Sequence, residues 1–219
     1  MLARSSHGTF TAKYERIALI TMIALVDYRA GNLTSVKKAL DHIGANAVIT
    51  CDPAAVVNAD KIILPGVGHF SATAVLEQTG LRAVMLHRIK EGVPFLGICV
   101  GMQWMFESSV EAPGTPGLGL FPGTCGRFPD GVKSPHVGWN SLSCSDGSQL
   151  LRGIPSGSFV YFTHSYRAPV VKATVARSEY GGEFSAGIEQ ENLFGVQFHP
   201  EKSGAIGLKI LENFCGLSC

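Results

Sequence analysis

The sequence predicts a layered α/β domain, and three observations carry that expectation. Short apolar runs alternate with helically periodic segments through the first half, as in βα units around a mostly parallel central sheet. In the second half apolar runs follow one another with no helical pattern between them, so that half is β-rich. Glycine supplies 26 of 219 residues, against an average of about 7%, and only 16% of residues are charged. Few charges and many glycines suit a buried sheet with tight turns, and 219 residues make one domain with a core that needs no staples.

The elements follow in order. Residues 23–26 read as a strand; Asn32 or Thr34 then caps a helix with the apolar stripe Leu33, Val36, Leu40 and Ile43, stopped by Gly44. Strands follow at 47–49 and 61–64, the second running into the tight loop Pro65-Gly66-Val67-Gly68. Residues 81–90 are helical, with Leu81, Val84, Met85 and Ile89 on one face. Residues 94–98 form a short strand, and Cys99 opens a helix running to about Phe106. The Gly/Pro-rich stretch 113–135 reads as a long connection. Strands are expected at 139–144, 159–162, 173–176, 185–189 and 193–198, and a last helix at about 205–214.

Residues 17–26, behind Arg4, Lys13 and Arg16, imitate a signal-peptide core. Asp27-Tyr28-Arg29 follows in place of a small-residue cleavage site, and the run is too short to span a bilayer. Residues 1–21 are expected to be a dispensable extension ahead of a single domain over 22–219, with Met22 as a candidate start. The net charge of +1 and the absence of long one-sign runs exclude a general grip on nucleic acid. Cysteines 51, 99, 125, 144, 215 and 219 form no C-x-x-C, so no metal site is expected, and a reducing, cytoplasmic setting fits them.

Gly97-Ile98-Cys99-Val100-Gly101 is the thiol version of a nucleophile elbow, a strand that turns sharply into a helix. The helix N-terminus favours the thiolate, and the Val100 N–H is placed for an oxyanion beside the sulfur. His199-Pro200-Glu201 ends the last strand. Pro200 biases His199 to an extended backbone, where residues two apart share a side, so Glu201 is expected to hold the imidazole as a base for the thiol. The Gly66–Gly68 loop at a strand's carboxyl end offers a second oxyanion donor; a plain turn and a phosphate loop are its rivals. His42 and His87 read as solvated, and His69 and His136 as loop-flanking with no partner evident.

Together these residues resemble the class I (triad) glutamine amidotransferases, which have a three-layer, flavodoxin-like fold. More narrowly they resemble the glutaminase subunits of imidazole glycerol phosphate synthase. The similarity rests on Asp27-Tyr28 with Gly31-Asn32-Leu33, on Leu64 to Gly68 with Phe70, and on Gly97 to Gln103. It extends through Gly138-Trp139-Asn140, Tyr161 to Tyr166, and Gly195 to Ser203. Arg29 stands where that family usually has glycine, and Val100 where leucine is commoner.

The resemblance implies Cys99 as nucleophile, His199 as general base and acid, Glu201 as its orienting carboxylate, and Val100, Val67 and Gly68 as the oxyanion hole. It implies that Gly66, Gly68, Gln103, His164, Ser165 and Glu111 bind glutamine, and that Lys202, Trp139, Asn140 and Tyr161 face a partner. The resemblance implies that this partner is a (β/α)₈-barrel cyclase subunit in a heterodimer, with no cofactor, no nucleic acid and no membrane expected. Low activity alone and stimulation by the partner's ligand are expected. The alternatives are the glutaminase of another synthase, such as one for pyridoxal phosphate or anthranilate, and a non-catalytic interaction subunit on the same fold.

Overall fold

The computed structural model describes residues 21–29 and 31–218. The expected extension lies outside the described residues except for Thr21. The first half gives β1 (Ile23–Val26), α1 (Leu33–His42), β2 (Ala47–Thr50), α2 (Pro53–Val57), β3 (Lys61–Gly66), α3 (Ala74–Gln78), α4 (Leu81–Lys90), β4 (Phe95–Cys99), α5 (Val100–Trp104) and β5 (Phe106–Ser109). The second half gives β6 (Phe121–Arg127), β7 (His136–Ser141), β8 (Ser143–Cys144), β9 (Phe159–His164), β10 (Tyr166–Arg167), β11 (Thr174–Glu179), β12 (Glu183–Gln190), β13 (Leu193–Val196) and a closing α6 (Gly204–Cys215).

Eight strands form the main sheet in the order β2-β1-β3-β4-β13-β12-β11-β8. The first five are mutually parallel and the last three antiparallel. β1, β3, β4 and β13 are buried at every position, which explains their unbroken apolar runs: a central parallel strand is covered on both faces. β2, at the edge, leaves Val48 and Ile49 exposed. Two smaller sheets, β10-β6-β5 and β7-β9, accompany the large one.

Several elements differ from the sequence expectation, each for a local reason. The helix after Cys99 ends at Trp104, because the chain turns at Met105 and pairs β5 with β6. The supposed connection 113–135 contains β6, whose pattern is disguised by Pro122 and Gly123. Both fall at a register shift between the pairs Phe106–Phe121 and Ser108–Thr124, where the regular ladder is interrupted. The strand expected over 139–144 is split at Leu142 into β7 and β8, which belong to different sheets. Asn32 sits at the start of α1 but makes no capping bond, because its amide is engaged elsewhere.

Candidate active site

Three neighbouring strand ends build the site. β3, β4 and β13 lie side by side and parallel, with Gly66 opposite Cys99 and Val196 opposite Ile98. Their carboxyl ends therefore deliver the 66–68 loop, the thiol and the 197–201 segment to one edge of the sheet, where ligands bind in such folds.

Cys99 holds φ 55 and ψ −109, a conformation that costs a non-glycine residue about 1–3 kcal/mol. Its surroundings enforce it through close backbone approach. A Cβ on Gly101 would lie 1.9 Å from the Leu64 carbonyl oxygen, and one on Gly97 would lie 2.6 Å from the Gly101 carbonyl oxygen. Gly101→Ala is therefore expected to destabilise the fold by about 3 kcal/mol in urea denaturation, since neither backbone can yield cheaply. Gly147→Ala, at φ 86 in open space, is the control and should cost about 1 kcal/mol.

The His199–Glu201 pair forms by a different route from the expected one. β13 ends at Val196; His199 is extended at φ −100 and ψ 98, but Pro200–Lys202 is a 3₁₀ turn. That turn folds Glu201 back, so that His199 Nδ1–H donates to Glu201 Oε1 at 2.9 Å. The same oxygen accepts from Asn32 Nδ2 at 2.9 Å. Both side chains are buried, and His199 Nε2 and Glu201 Oε2 have no hydrogen-bond partner among the described residues. Burial alone pushes the imidazole pKa down. The neighbouring Cys99 sulfur, followed by the hydrogen bond and charge of Glu201, outweighs it and carries the pKa up to about 10. The imidazole thus rests protonated between a sulfur and a carboxylate.

Gln197, which the sequence reading passed over, stands closest to the sulfur by hydrogen bonding: its Nε2 donates to Cys99 Sγ at 3.6 Å. It follows β13 directly, in a bend two residues before His199, where no strand alternation marks it. Asn32 carried no comparable local signal.

A cleft of about 200 Å³ opens over the thiol. Val67, Gly68, Val100, Gln103, Glu111, His164 and Ser165 line it, joined by Pro135, Thr163 and Tyr166, which the sequence reading did not single out. Gly66 is not among the lining residues; it is buried at the end of β3 against the Tyr28 hydroxyl. Glu111 is held by the Phe70 N–H, which donates to Oε2 at 2.8 Å. The His164 and His136 rings are buried together, so His136 does have a partner: its Nδ1 lies 3.2 Å from His164 Nε2.

Of the four expected partner-facing residues, three form one surface. Trp139 and Tyr161 are opposite each other in the β7–β9 ladder with ring centroids 6.0 Å apart, and Lys202 Nζ lies 5.8 Å from the Tyr161 ring centroid. Val137 and Phe159, missed earlier, are exposed on the same two strands. Asn140 departs from this set: as the next residue along β7 its side chain alternates away, and its Nδ2 donates to the Glu179 carbonyl at 2.9 Å. No group of three or more His, Cys, Asp or Glu among the described residues is placed to hold a metal ion. No helix among them is long and apolar enough to cross a membrane.

Comparison with known proteins decides the family. The family model "Glutamine amidotransferase class-I" matches residues 24–216. The chain is 51% identical over 195 residues to the imidazole glycerol phosphate synthase subunit HisH of Methanothermobacter thermautotrophicus, covering 88% of this chain and 97% of that protein. It is 48% identical over 198 residues to the HisH subunit of Moorella thermoacetica, covering 88% and 93%. This chain belongs to the HisH family of class-I glutamine amidotransferases.

Solved structures share the fold at lower identity. One described as a glutamine amidotransferase aligns with a TM-score of 0.70 at 20% identity, over 89% of this chain and 99% of that one. A chain of PurLQS from Thermotoga maritima aligns with a TM-score of 0.69 at 20% identity, over 90% and 98%. In this HisH-family chain, Arg29 replaces the expected glycine while keeping φ at 66, the left-handed region that glycine suits.

Proposed function

We propose that this HisH-family chain hydrolyses L-glutamine at Cys99 and passes the ammonia to a cyclase subunit of imidazole glycerol phosphate synthase, in cytoplasmic histidine biosynthesis. The observation that carries the reading is the placement of His199 between Glu201 and Cys99, the thiol that lines the cleft.

The Cys99 sulfur attacks the side-chain amide carbon of glutamine, forming a C–S bond. Charge builds on the carbonyl oxygen, facing the Val100 N–H at the start of α5 and the Val67–Gly68 loop. Protonated His199 gives its Nε2 proton to the leaving nitrogen, the C–N bond breaks and ammonia departs. The neutral imidazole then takes a proton from water, which attacks the glutamyl thioester. Glutamate leaves, the sulfur recovers its electron pair and His199 recovers its proton. Glu201 keeps Nδ1 protonated throughout, so Nε2 is the atom that moves the proton.

The apolar face on β7 and β9 suits docking of the cyclase. Val137 is 56% exposed, Trp139 55% and Phe159 59%, an unusual run of large apolar side chains in water. The face adjoins the site directly: the Tyr161 carbonyl accepts from the His199 N–H at 2.9 Å. Ammonia released there emerges beside the docked partner, where it would join the cyclase substrate to give imidazole glycerol phosphate and AICAR.

The test mixes the chain with the cyclase subunit and follows glutamate release and glutamine-dependent product formation. Both are expected in the complex, with glutamate release rising when the cyclase ligand is added. A complex that forms but releases no glutamate overturns the reading.

A further inference from the structure

A continuous hydrogen-bonded chain runs from the docking strand to the sulfur. Asn140 Nδ2 lies 3.5 Å from His136 Nε2, His136 Nδ1 lies 3.2 Å from His164 Nε2, and His164 Nδ1 lies 2.9 Å from the Tyr166 carbonyl oxygen. That carbonyl also accepts from Gln103 Nε2 at 2.7 Å. Gln103 Nε2 gives its other proton to Gln197 Oε1 at 3.0 Å, and Gln197 Nε2 donates to Cys99 Sγ. His136 and His164 stand directly opposite each other in the β7–β9 ladder, and Trp139, Asn140 and His136 share β7.

The donor directions are forced. The Tyr166 carbonyl can only accept, so His164 Nδ1 carries the proton and Nε2 is the acceptor. His136 Nδ1 must then donate, leaving its Nε2 to accept from Asn140. The assignment requires both rings to be neutral, and burial lowers His136 to about 4 and His164 to about 3. At the far end, Gln103 fixes which end of the Gln197 amide meets the sulfur. With Oε1 held by Gln103, Gln197 turns its N–H toward the sulfur; the flipped amide would turn an oxygen toward it.

We infer that His136 and His164 are positioning residues, which act through the Tyr166 carbonyl and Gln103 to hold the Gln197 N–H on Cys99 and so tie the docking strand β7 to the nucleophile. The His136 ring does not line the cleft; it meets the rest of the site through this chain and through the rings it stacks on, and the variants below separate the two. The kinetic part of the test rests on the glutaminase reading; the tautomer and thiol measurements do not.

The first measurement uses the unaltered protein. Imidazole ¹⁵N shifts are expected to show both His136 and His164 as Nδ1–H tautomers; an Nε2–H tautomer at either ring breaks the chain and overturns the inference. The second compares His136→Phe with His136→Asn. Phenylalanine keeps the stacking that His136 makes on Tyr180 (centroids 4.0 Å apart) and Phe162 (4.8 Å) but removes the donor. Asparagine restores an N–H at the Nδ1 position.

For folded H136F, the rate of iodoacetamide labelling at the Cys99 peptide should fall about 3-fold, and kcat in the cyclase complex should fall about 3- to 10-fold with KM for glutamine unchanged. H136N should recover both. An H136F protein with an unchanged labelling rate, or an H136N protein as impaired as H136F, overturns the inference. If the wild-type complex shows no glutaminase activity, the functional reading fails, and the tautomer and labelling results still decide this one.

Discussion

Cys99→Ala is expected to lower kcat for glutamine hydrolysis in the cyclase complex by about 10⁶-fold, to little more than the contribution of binding and the oxyanion donors. The thiol is the atom on which the glutamyl group is carried, so its loss removes the two-step route and leaves His199 and Glu201 with nothing to serve. The variant should also change His199 itself. Cys99 contributes the strongest upward influence on that imidazole, working against burial. An NMR titration of the alanine variant should therefore place the His199 midpoint well below the wild-type value. The backbone gives a third readout. At φ 55, alanine retains the strain of cysteine and glycine does not, so Cys99→Gly should be the more stable of the two inactive proteins by about 1 kcal/mol in urea. A Cys99→Ala complex that still releases glutamate at a measurable fraction of the wild-type rate would remove Cys99 from the chemistry.

The parts of this site that depend on neighbouring residues were legible in the sequence. The elbow could be read because its strand, its two glycines and its helix start lie within a few residues of the thiol, and each has a local steric reason. The parts that depend on distant pairing were not. Asn32 reaches Glu201 across 169 positions of sequence, and at its own position it looks like an ordinary helix cap. His136 looked partnerless because the β7–β9 register that sets it against His164 is a property of the folded sheet. β6 was hidden by Pro122 and Gly123, residues that ordinarily argue against a strand and are tolerated here at a shift in register. Asn140 misled in the opposite sense: it is adjacent to Trp139 in sequence, and the pleat therefore sends it to the other side.

Glu201→Gln should reduce kcat by about 10³-fold while leaving the cleft and the thiol in place. Glutamine still offers an oxygen to the His199 Nδ1–H, but it no longer offers a charge. In the wild type the pKa of His199 is raised to about 10, with Glu201 acting after Cys99 among the raising influences. His199 must be protonated at the moment ammonia leaves. The wild-type rate should therefore hold through neutral pH and fall only as pH climbs toward 10, whereas the falling limb of the glutamine variant should move to lower pH. Stability should follow the same proton. A raised folded-state value means that His199 contributes its full stabilisation below the ordinary 6.5 and loses it as pH rises to about 10. The deficit of Glu201→Gln relative to wild type, read by urea denaturation, should thus be greatest near pH 6 and shrink toward pH 10. A deficit of the same size at both ends would mean that Glu201 acts by packing or through Asn32 alone and not through the charge on the imidazole.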